Sequence, residues 1–221
     1  MASLRCKCVL VGGPRVGKTA LAQVFQSGGG LFPSNYSMTS AVELPGVDAL
    51  RTVVLEDGSG ASSTPASPVA GQVPEHKVKT PLEKALELPS ASVQFFLYDT
   101  PGQPYLRELA REYVDATCVL IFVYDVTSID SFEWIREWAE LLSADNALPA
   151  VGMVVANKAD KSDLRAVDAD LGLHFAKSLR YPFFELAAPD ASAVDAAFKH
   201  LAEAYASHYQ DFVSATRALA S

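Results

Sequence analysis

The sequence predicts an α/β domain, doubly wound, with a mostly parallel six-stranded sheet flanked by helices on both faces. Short apolar runs alternate along the chain with segments of helical spacing. The runs are continuously hydrophobic, which is typical of strands buried on both faces. Strands that alternate with helices connect as right-handed crossovers and form parallel pairs. The 221 residues, 49% of them hydrophobic, suffice for one such domain with a sizeable core.

The elements follow in chain order from these two patterns. The predicted strands are the apolar runs Leu4–Val11, Val93–Tyr98, Val119–Tyr124 and Val151–Ala156, the shorter Phe183–Leu186, and a β-type run at Ala41–Glu56. The predicted helices are the segments with helical spacing, Thr19–Gln26, Ser131–Leu142, Asp168–Leu179 and a long final helix at Ala191–Ala220.

Residues 57–92 depart from the alternation. This stretch carries five prolines, three glycines and many Ser, Thr and Ala residues. Such a composition buries too little apolar surface to offset the entropy lost on ordering. We therefore predict a disordered insertion at the tip of a hairpin between the second and third strands, with Pro81–Leu88 as a possible short helix.

Charge and cysteine content exclude several classes of protein. Lys and Arg total 18 against 26 Asp and Glu, a net charge of −8, which argues against nucleic-acid binding and against adhesion to anionic lipid. Cys6, Cys8 and Cys118 are too few for a disulfide framework, and no nearby His completes a zinc site. We expect reduced, buried cysteines and a cytoplasmic protein. The chain shows neither a signal-peptide layout nor the ~18 continuous apolar residues of a membrane span.

The strongest motif is Gly12–Thr19, which matches G-x-x-x-x-G-K-[ST] directly after a predicted strand and at the start of a helix. Glycines at Gly12 and Gly17 let the backbone curl, so that its N–H groups cradle a β-phosphate. Lys18 would bridge β- and γ-phosphate oxygens, and the Thr19 hydroxyl would bind Mg²⁺. The motif predicts a phosphate-binding loop, called the P-loop below.

A second motif selects the base. Asn157-Lys158-Ala159-Asp160 follows the strand Val151–Ala156, at the sheet edge where ligands bind in open α/β folds. The Asp160 carboxylate could accept hydrogen bonds from the ring N–H and the exocyclic amine of guanine. Adenine lacks that pair of donors, so the motif predicts a guanine nucleotide.

A third motif, Asp99-Thr100-Pro101-Gly102-Gln103, ends the strand Val93–Tyr98. Asp99 could hold Mg²⁺ through water, the Gly102 N–H could meet the γ-phosphate, and Gln103 could orient an attacking water. In isolation an ordinary turn would explain these residues as well. Pro104 restrains Gln103 toward extended conformations and could start the next helix, so we expect nucleotide binding more firmly than turnover.

Together these motifs resemble those of small G proteins of the Ras superfamily, nearest the Rab type, over nearly the whole chain outside the insertion. The resemblance implies binding of GTP or GDP with Mg²⁺ and slow GTP hydrolysis. It implies that Thr39 closes on Mg²⁺ and the γ-phosphate, that Phe32 packs against guanine, and that the Ala188 N–H reads the guanine carbonyl. Ala187 stands where the family usually has Ser. The remaining nucleotide contacts implied in the P-loop are Arg15, Val16 and Ala20.

Three shorter stretches narrow the resemblance. The residues flanking the P-loop, the segment Asn35–Ser40 and the tail Phe212–Ala220 are similar to the Rab-like subunits of intraflagellar transport complex B. This implies a location in cilia or flagella and pairing with a small β-sandwich subunit and other members of that complex. Two alternatives remain: a cycling Rab-type switch in vesicle or cargo transport, and a structural subunit with a vestigial nucleotide pocket.

The final helix offers a surface for a partner. Its apolar residues follow alternating spacings of four and three, and at 1.5 Å per residue a helix over Ala191–Ala220 spans about 45 Å, more than a small domain covers. The predicted partner contacts are Tyr205, Tyr209, Phe212 and Leu219. With no cysteine after Cys118, we expect no prenyl anchor and localisation through a protein partner.

Overall fold

The computed structural model describes residues 3–33, 37–42, 51–55 and 92–220. The predicted insertion at residues 57–92 lies outside these ranges except for Ser92, so its predicted disorder and its possible short helix stay predictions. Residues 34–36, which include the first two residues of the segment Asn35–Ser40, also lie outside them. The predicted β-type run Ala41–Glu56 is described only in part, and four of its residues form a strand, Arg51–Val54.

Six strands form one sheet, as the sequence predicts. They are β1 (Ser3–Val11), β2 (Arg51–Val54), β3 (Ser92–Asp99), β4 (Val119–Asp125), β5 (Val151–Asn157) and β6 (Phe183–Glu185). Their order across the sheet is β2-β3-β1-β4-β5-β6. Neighbouring strands are parallel except β2, which runs antiparallel to β3. The mostly parallel α/β architecture is therefore confirmed.

Five α-helices accompany the sheet in the described part of the chain. They are α1 (Lys18–Ser27), α2 (Arg107–Arg111), α3 (Ile129–Ala144), α4 (Ala169–Leu179) and α5 (Ala191–Ala220). Short 3₁₀ turns lie at Pro104–Leu106 and Ser162–Leu164. The sequence analysis did not place α2, because five residues are too few to show a helical period. Pro104 does begin the 3₁₀ turn before it, as Pro at a first helical position favours.

Helices cover the sheet with two separate hydrophobic cores. On one side α1 and α5 pack on the central strands, where the rings of Phe25 and Phe198 stack with centroids 3.8 Å apart and Phe95 meets both edge-on. On the other side α3 and α4 bury Trp138 and Tyr124. With both faces covered, β4 and β5 are buried along their whole length.

The three cysteines are free and buried, as predicted. Cys6 and Cys8 lie in the core beside α1 and α5, and Cys118 lies in the other. Burial raises the pKa of all three thiols, that of Cys118 to about 11. They are packing residues with little thiolate character.

Helix α5 divides at Ala206, which is its last buried residue in the described part of the chain. Before it, Val194, Phe198 and Leu201 pack into the core. The Tyr205 hydroxyl donates to the Arg5 carbonyl over 3.0 Å and its ring is partly buried against the core, so Tyr205 packs on the domain and its partner contact stays a prediction.

Beyond Ala206 the helix stands clear of the domain. Tyr209, Phe212 and Leu219 expose 40%, 64% and 90% of their surface. This exposed face is what the length argument predicted. Among the described residues, no helix combines the length and the apolar character required to cross a membrane.

The strand order fixes where a ligand can bind. β1 and β4 are neighbours in the middle of the sheet. The chain that leaves β1 continues to β2 and β3 on one side, and the chain that leaves β4 continues to β5 and β6 on the other. In an open parallel sheet, ligands bind at the carboxyl ends of the strands beside such a reversal. The P-loop, the Asp99 segment and the Asn157 segment follow β1, β3 and β5 at that edge.

Candidate functional site

A cavity of about 380 Å³ opens at the carboxyl edge of the sheet. Its walls come from the P-loop and the start of α1, from residues 32–33 and 37–39, from Gly102 and Gln103, and from the loops after β5 and β6. Most predicted site residues line it: Arg15, Gly17, Lys18, Thr19, Ala20, Phe32, Thr39, Gly102, Gln103, Asn157, Lys158, Asp160 and Ala188. Four predicted residues do not: Gly12, Val16, Asp99 and Ala187. The first three of these bond to side chains that do, as described below.

Two P-loop glycines are required by the backbone. Gly17 has φ of 101°, and a Cβ there would collide with the amide nitrogen of Asn157. A Cβ on Gly12 would collide with the Val123 carbonyl oxygen of β4. Gly17 thus allows the positive φ of the curled loop that the motif predicts. Gly12 allows the loop backbone to pack closely against β4.

Lys18 is buried beneath the P-loop. Its Nζ donates to the carbonyl oxygens of Gly12 and Gly13, each 2.9 Å away. Burial lowers the pKa of Lys18 to about 8, and the nearby Asp99 only partly opposes that shift. A cation held in this low-dielectric position is stabilised by an anion that enters the cavity.

Three oxygen-bearing side chains converge beside Lys18. The Thr19 hydroxyl donates to Asp99 Oδ2 over 2.5 Å and lies 3.4 Å from the Thr39 hydroxyl. Hydroxyl and carboxylate oxygens are the donors that Mg²⁺ prefers, so this set fits the ion. The described residues contain no cluster of three or more His, Cys, Asp or Glu side chains that could hold a metal ion.

The Asn157 segment ties together the loops around the cavity. The Asn157 side chain is buried, donates to the Val16 carbonyl over 2.7 Å, and accepts from the Ala188 N–H over 3.0 Å. The sequence assigned that N–H to a guanine carbonyl. In the structure this N–H donates to the Asn157 side-chain oxygen, so a guanine carbonyl would have to share the N–H with that oxygen or replace it.

The neighbouring Lys158 also serves the P-loop. Its Nζ donates to the Arg15 carbonyl over 2.9 Å and to Asp125 Oδ2 over 2.6 Å. Burial works to raise the pKa of Asp125, but hydrogen bonds from Lys158 and Thr127 outweigh it and keep that pKa below its usual value. Asp160, the predicted base-selecting residue, lines the cavity with an exposed side chain.

Asp125 is a site residue that was not predicted, although the strand pattern carries a signal for it. Asp125 ends β4 and pairs in register with Asn157 at the end of β5. Two polar residues that end adjacent parallel strands must lie side by side at the ligand edge. Once the order of the strands is known, this pairing places Asp125 beside Asn157 at the edge of the cavity.

The Asp99-to-Gln103 segment packs tightly on the P-loop. A Cβ on Gly102 would lie 2.5 Å from the carbonyl carbon and oxygen of Gly13, so no side chain fits there. Gln103 has φ of −75° and ψ of 137°, which is the extended conformation predicted from Pro104. Its amide nitrogen lies 3.6 Å from Met38 Sδ, as a weak hydrogen bond across the cavity mouth.

The comparisons with known proteins agree with this geometry. The model of the Ras family matches residues 51–207. The intraflagellar transport protein 27 homolog of Homo sapiens is 30% identical over 223 residues, covering all of both chains. Intraflagellar transport protein 27 of Chlamydomonas reinhardtii is 32% identical over 219 residues, covering 97% of this chain and 90% of its own. The Ras-related protein Rab-1C of Dictyostelium discoideum is 36% identical, but over only 54% of this chain and 59% of its own.

Proposed function

Because this chain belongs to the Ras family of small GTPases, we propose that its cavity binds GTP and GDP with Mg²⁺ and that it serves as a guanine-nucleotide-binding subunit of intraflagellar transport complex B. The observation that carries the nucleotide assignment is the convergence of Lys18, Thr19 and Asp160 on one cavity. The similarity to intraflagellar transport protein 27 along the whole chain, against partial similarity to Rab-1C, supports the transport role.

The P-loop end of the cavity would take the phosphates. Backbone N–H groups at the start of α1 add the positive end of a helix dipole, and Lys18 adds a full charge. Arg15, Val16 and Ala20 belong to the same loop and helix start. Thr19, Thr39 and Asp99 would hold Mg²⁺, which when bound neutralises charge on the β- and γ-phosphates.

The opposite end would take the base. Asp160 would accept the two guanine donors, and Lys158 fixes the loop by its bonds to Arg15 and Asp125. Phe32, 52% exposed at the cavity wall, offers a ring to the base. Ala188 and its neighbour Ala187 would close the site from the loop after β6.

Hydrolysis by this protein alone would be slow. A Ras-family domain without an activator hydrolyses GTP at on the order of 10⁻⁴ per second. Gln103 is the side chain placed to orient water, but here its amide is held toward Met38 and its backbone is restrained by Pro104. The Gln103 side chain must leave Met38 to reach a water, which keeps turnover slow, while its backbone stays in place on the P-loop.

Contacts with other proteins would place the chain in the cilium or flagellum. The apolar side chains at the free end of α5, Tyr209, Phe212 and Leu219, form the surface that we assign to the small β-sandwich subunit and its neighbours in the complex. Burying them would remove a large exposed apolar area from water.

Calorimetric titration of the nucleotide-stripped protein tests the nucleotide assignment. With Mg²⁺ present we expect binding of GTP and GDP and none of ATP. Absence of binding by any nucleotide, in a protein shown to be folded, would favour the structural subunit with a vestigial pocket. Binding of partner subunits only in the GTP form would favour the cycling switch.

Asp160→Asn sharpens this test. The amide of Asn has one acceptor and one donor where Asp has two acceptors. The donor would face the exocyclic amine of guanine, which is itself a donor. Xanthine has a carbonyl at that position and therefore matches the amide. We expect GTP affinity to fall at least about 100-fold, since one charge-assisted hydrogen bond is lost, two donors then oppose each other and the other bond loses its charge, and we expect XTP to bind in its place. Asp163→Asn is the matched control, because Asp163 is exposed in the next turn and lies outside the cavity wall.

A further inference from the structure

Arg107, at the start of α2, lies over two neighbouring indole rings of α3. Its guanidinium carbon is 5.7 Å from the ring centroid of Trp134 and 5.5 Å from that of Trp138. The two indoles are 5.5 Å apart and tilted by 35°. Arg107 also pairs with Glu137 over 3.2 Å. We call these four residues the Arg107 clasp.

Stacking on the rings is the main interaction of the clasp. Both distances are within the range of a cation–π contact, and the flat guanidinium suits an indole face. The Glu137 side chain is exposed, so its ion pair is screened by water. Arg107 Nε and Trp138 Nε1 are buried with no acceptor among the described residues, so the exposed bond from Arg107 Nη1 to Glu137 is the hydrogen bond of the clasp.

Trp134 connects the clasp to the P-loop. A methyl group on Gly13 would lie 3.9 Å from Cγ of Trp134, so the indole is next to the loop backbone. Gly13 is also the residue against which Gly102 packs, and its carbonyl accepts from Lys18. The segment from Gly102 to Arg107, which carries Gln103, is therefore anchored at both ends.

We propose that the Arg107 clasp holds residues 102–107 in one position on the P-loop whether the bound nucleotide has two or three phosphates, so that Arg107 and Trp134 are positioning residues for Gln103. In many switch proteins a γ-phosphate contact is what orders such a segment. Here two rings, one carboxylate and the backbone of Gly13 contact the segment, and these protein groups are available with either nucleotide. The inference rests on the proposed function, since it takes the cavity as a guanine-nucleotide site.

Hydrogen–deuterium exchange of residues 105–112 measures this directly. In the wild-type protein we expect exchange rates with GDP and with a non-hydrolysable GTP analogue to agree within about twofold. In Trp134→Ala the segment loses one anchor, and we expect exchange in the GDP form to rise at least about tenfold, with partial protection restored by the GTP analogue.

Matched variants separate positioning from general destabilisation. Trp134→Phe keeps an aromatic face, so exchange of residues 105–112 should stay slow. Arg107→Lys keeps the charge but loses the planar guanidinium, so exchange should rise as in Trp134→Ala. Arg136→Ala is the control, because Arg136 is exposed on α3 and pairs only with Glu133 among the described residues. Exchange of the β4 amides reports whether each variant is folded.

Two further readouts complete the test. Single-turnover GTP hydrolysis should fall several-fold in Trp134→Ala, while GDP affinity stays within about threefold of wild type. Unchanged exchange in Trp134→Ala and Arg107→Lys would overturn the inference, and so would a wild-type protein whose segment is protected only by the GTP analogue. Failure of the proposed function looks different: the wild-type protein would bind neither nucleotide.

Discussion

The side-chain oxygen of Asn157 accepts a hydrogen bond from the backbone N–H of Ala188, 3.0 Å away. The amide nitrogen of the same side chain donates to the Val16 carbonyl over 2.7 Å. One buried amide therefore joins the loop after β6 to the P-loop. The loop that we propose to meet the base is thereby connected to the loop that we propose to hold the phosphates.

Replacing Asn157 by Ala should weaken both the fold and the site. The Val16 carbonyl and the Ala188 N–H would lose their partner in a buried place, and we expect the free energy of unfolding to fall by about 3 kcal/mol. Denaturant unfolding measures it. Asn146→Gly is the control: Asn146 is exposed with φ of 53°, where Gly is not strained, so stability should hold or rise slightly. A loss below about 1 kcal/mol for Asn157→Ala would contradict the bridging role.

Nucleotide affinity should depend on pH through Lys18. Burial lowers the pKa of Lys18 to about 8 from its usual 10.5, so between these values the unfolded chain binds more protons than the folded one. The nucleotide-free protein should therefore gain stability as pH rises from about 8 to 10.5. A phosphate needs the charged amine, so GDP affinity should fall about tenfold between pH 7 and 9. Titrations at several pH values check this, and Lys18→Ala should bind weakly without the slope.

Gly102→Ala should uncouple hydrolysis from binding. The added methyl meets the backbone of Gly13 and Pro14, which cannot move aside, so the Gln103 segment is pushed off the P-loop. We expect single-turnover hydrolysis to fall at least about tenfold, as for Gln103→Leu, with GDP affinity within about threefold. Gly30→Ala, where a methyl lies 3.4 Å from the Ser27 carbonyl oxygen, is the matched control and should change neither quantity. Equal loss of binding and hydrolysis would argue for a general collapse of the site.

Deleting residues 212–221 should leave the domain intact. None of the described side chains in this segment is buried, so we expect the melting temperature to move by less than about 2 °C and GTP binding to be unchanged. Co-purification with the transport subunits should be lost. Phe198→Ala is the contrasting variant, because its ring is buried against Phe25, and it should cost about 3 to 5 kcal/mol. Loss of GTP binding on deletion would place the segment in the structural core.

Local patterns predicted most of the fold. The apolar runs became strands within a few residues, and α5 has the predicted bounds, because burial on both sheet faces and helical spacing are properties of neighbouring residues. The P-loop, Asp99 and Asn157 segments were also found, since each motif lies within eight residues of sequence.

Contacts between distant residues could not be predicted in this way. Arg51 pairs with Asp195 over 2.5 Å, and Arg107 lies over the indoles of α3, but no local sequence pattern links the residues of either contact. The hydrogen bond from the Ala188 N–H to the Asn157 oxygen also joins two separate loops and has no local sequence signal. Such relationships arise only when the sheet order brings separate loops together.

The division of α5 at Ala206 bears on how the free end stays helical. An isolated helix of about a dozen residues is marginal in water, because its first turn must be nucleated at a large entropic cost. Here the docked turns supply that nucleus, and residues 207–220 only propagate it. The exposed aromatic face is therefore organised before any partner arrives, so docking forfeits little chain entropy and association is faster than for a segment that folds on contact.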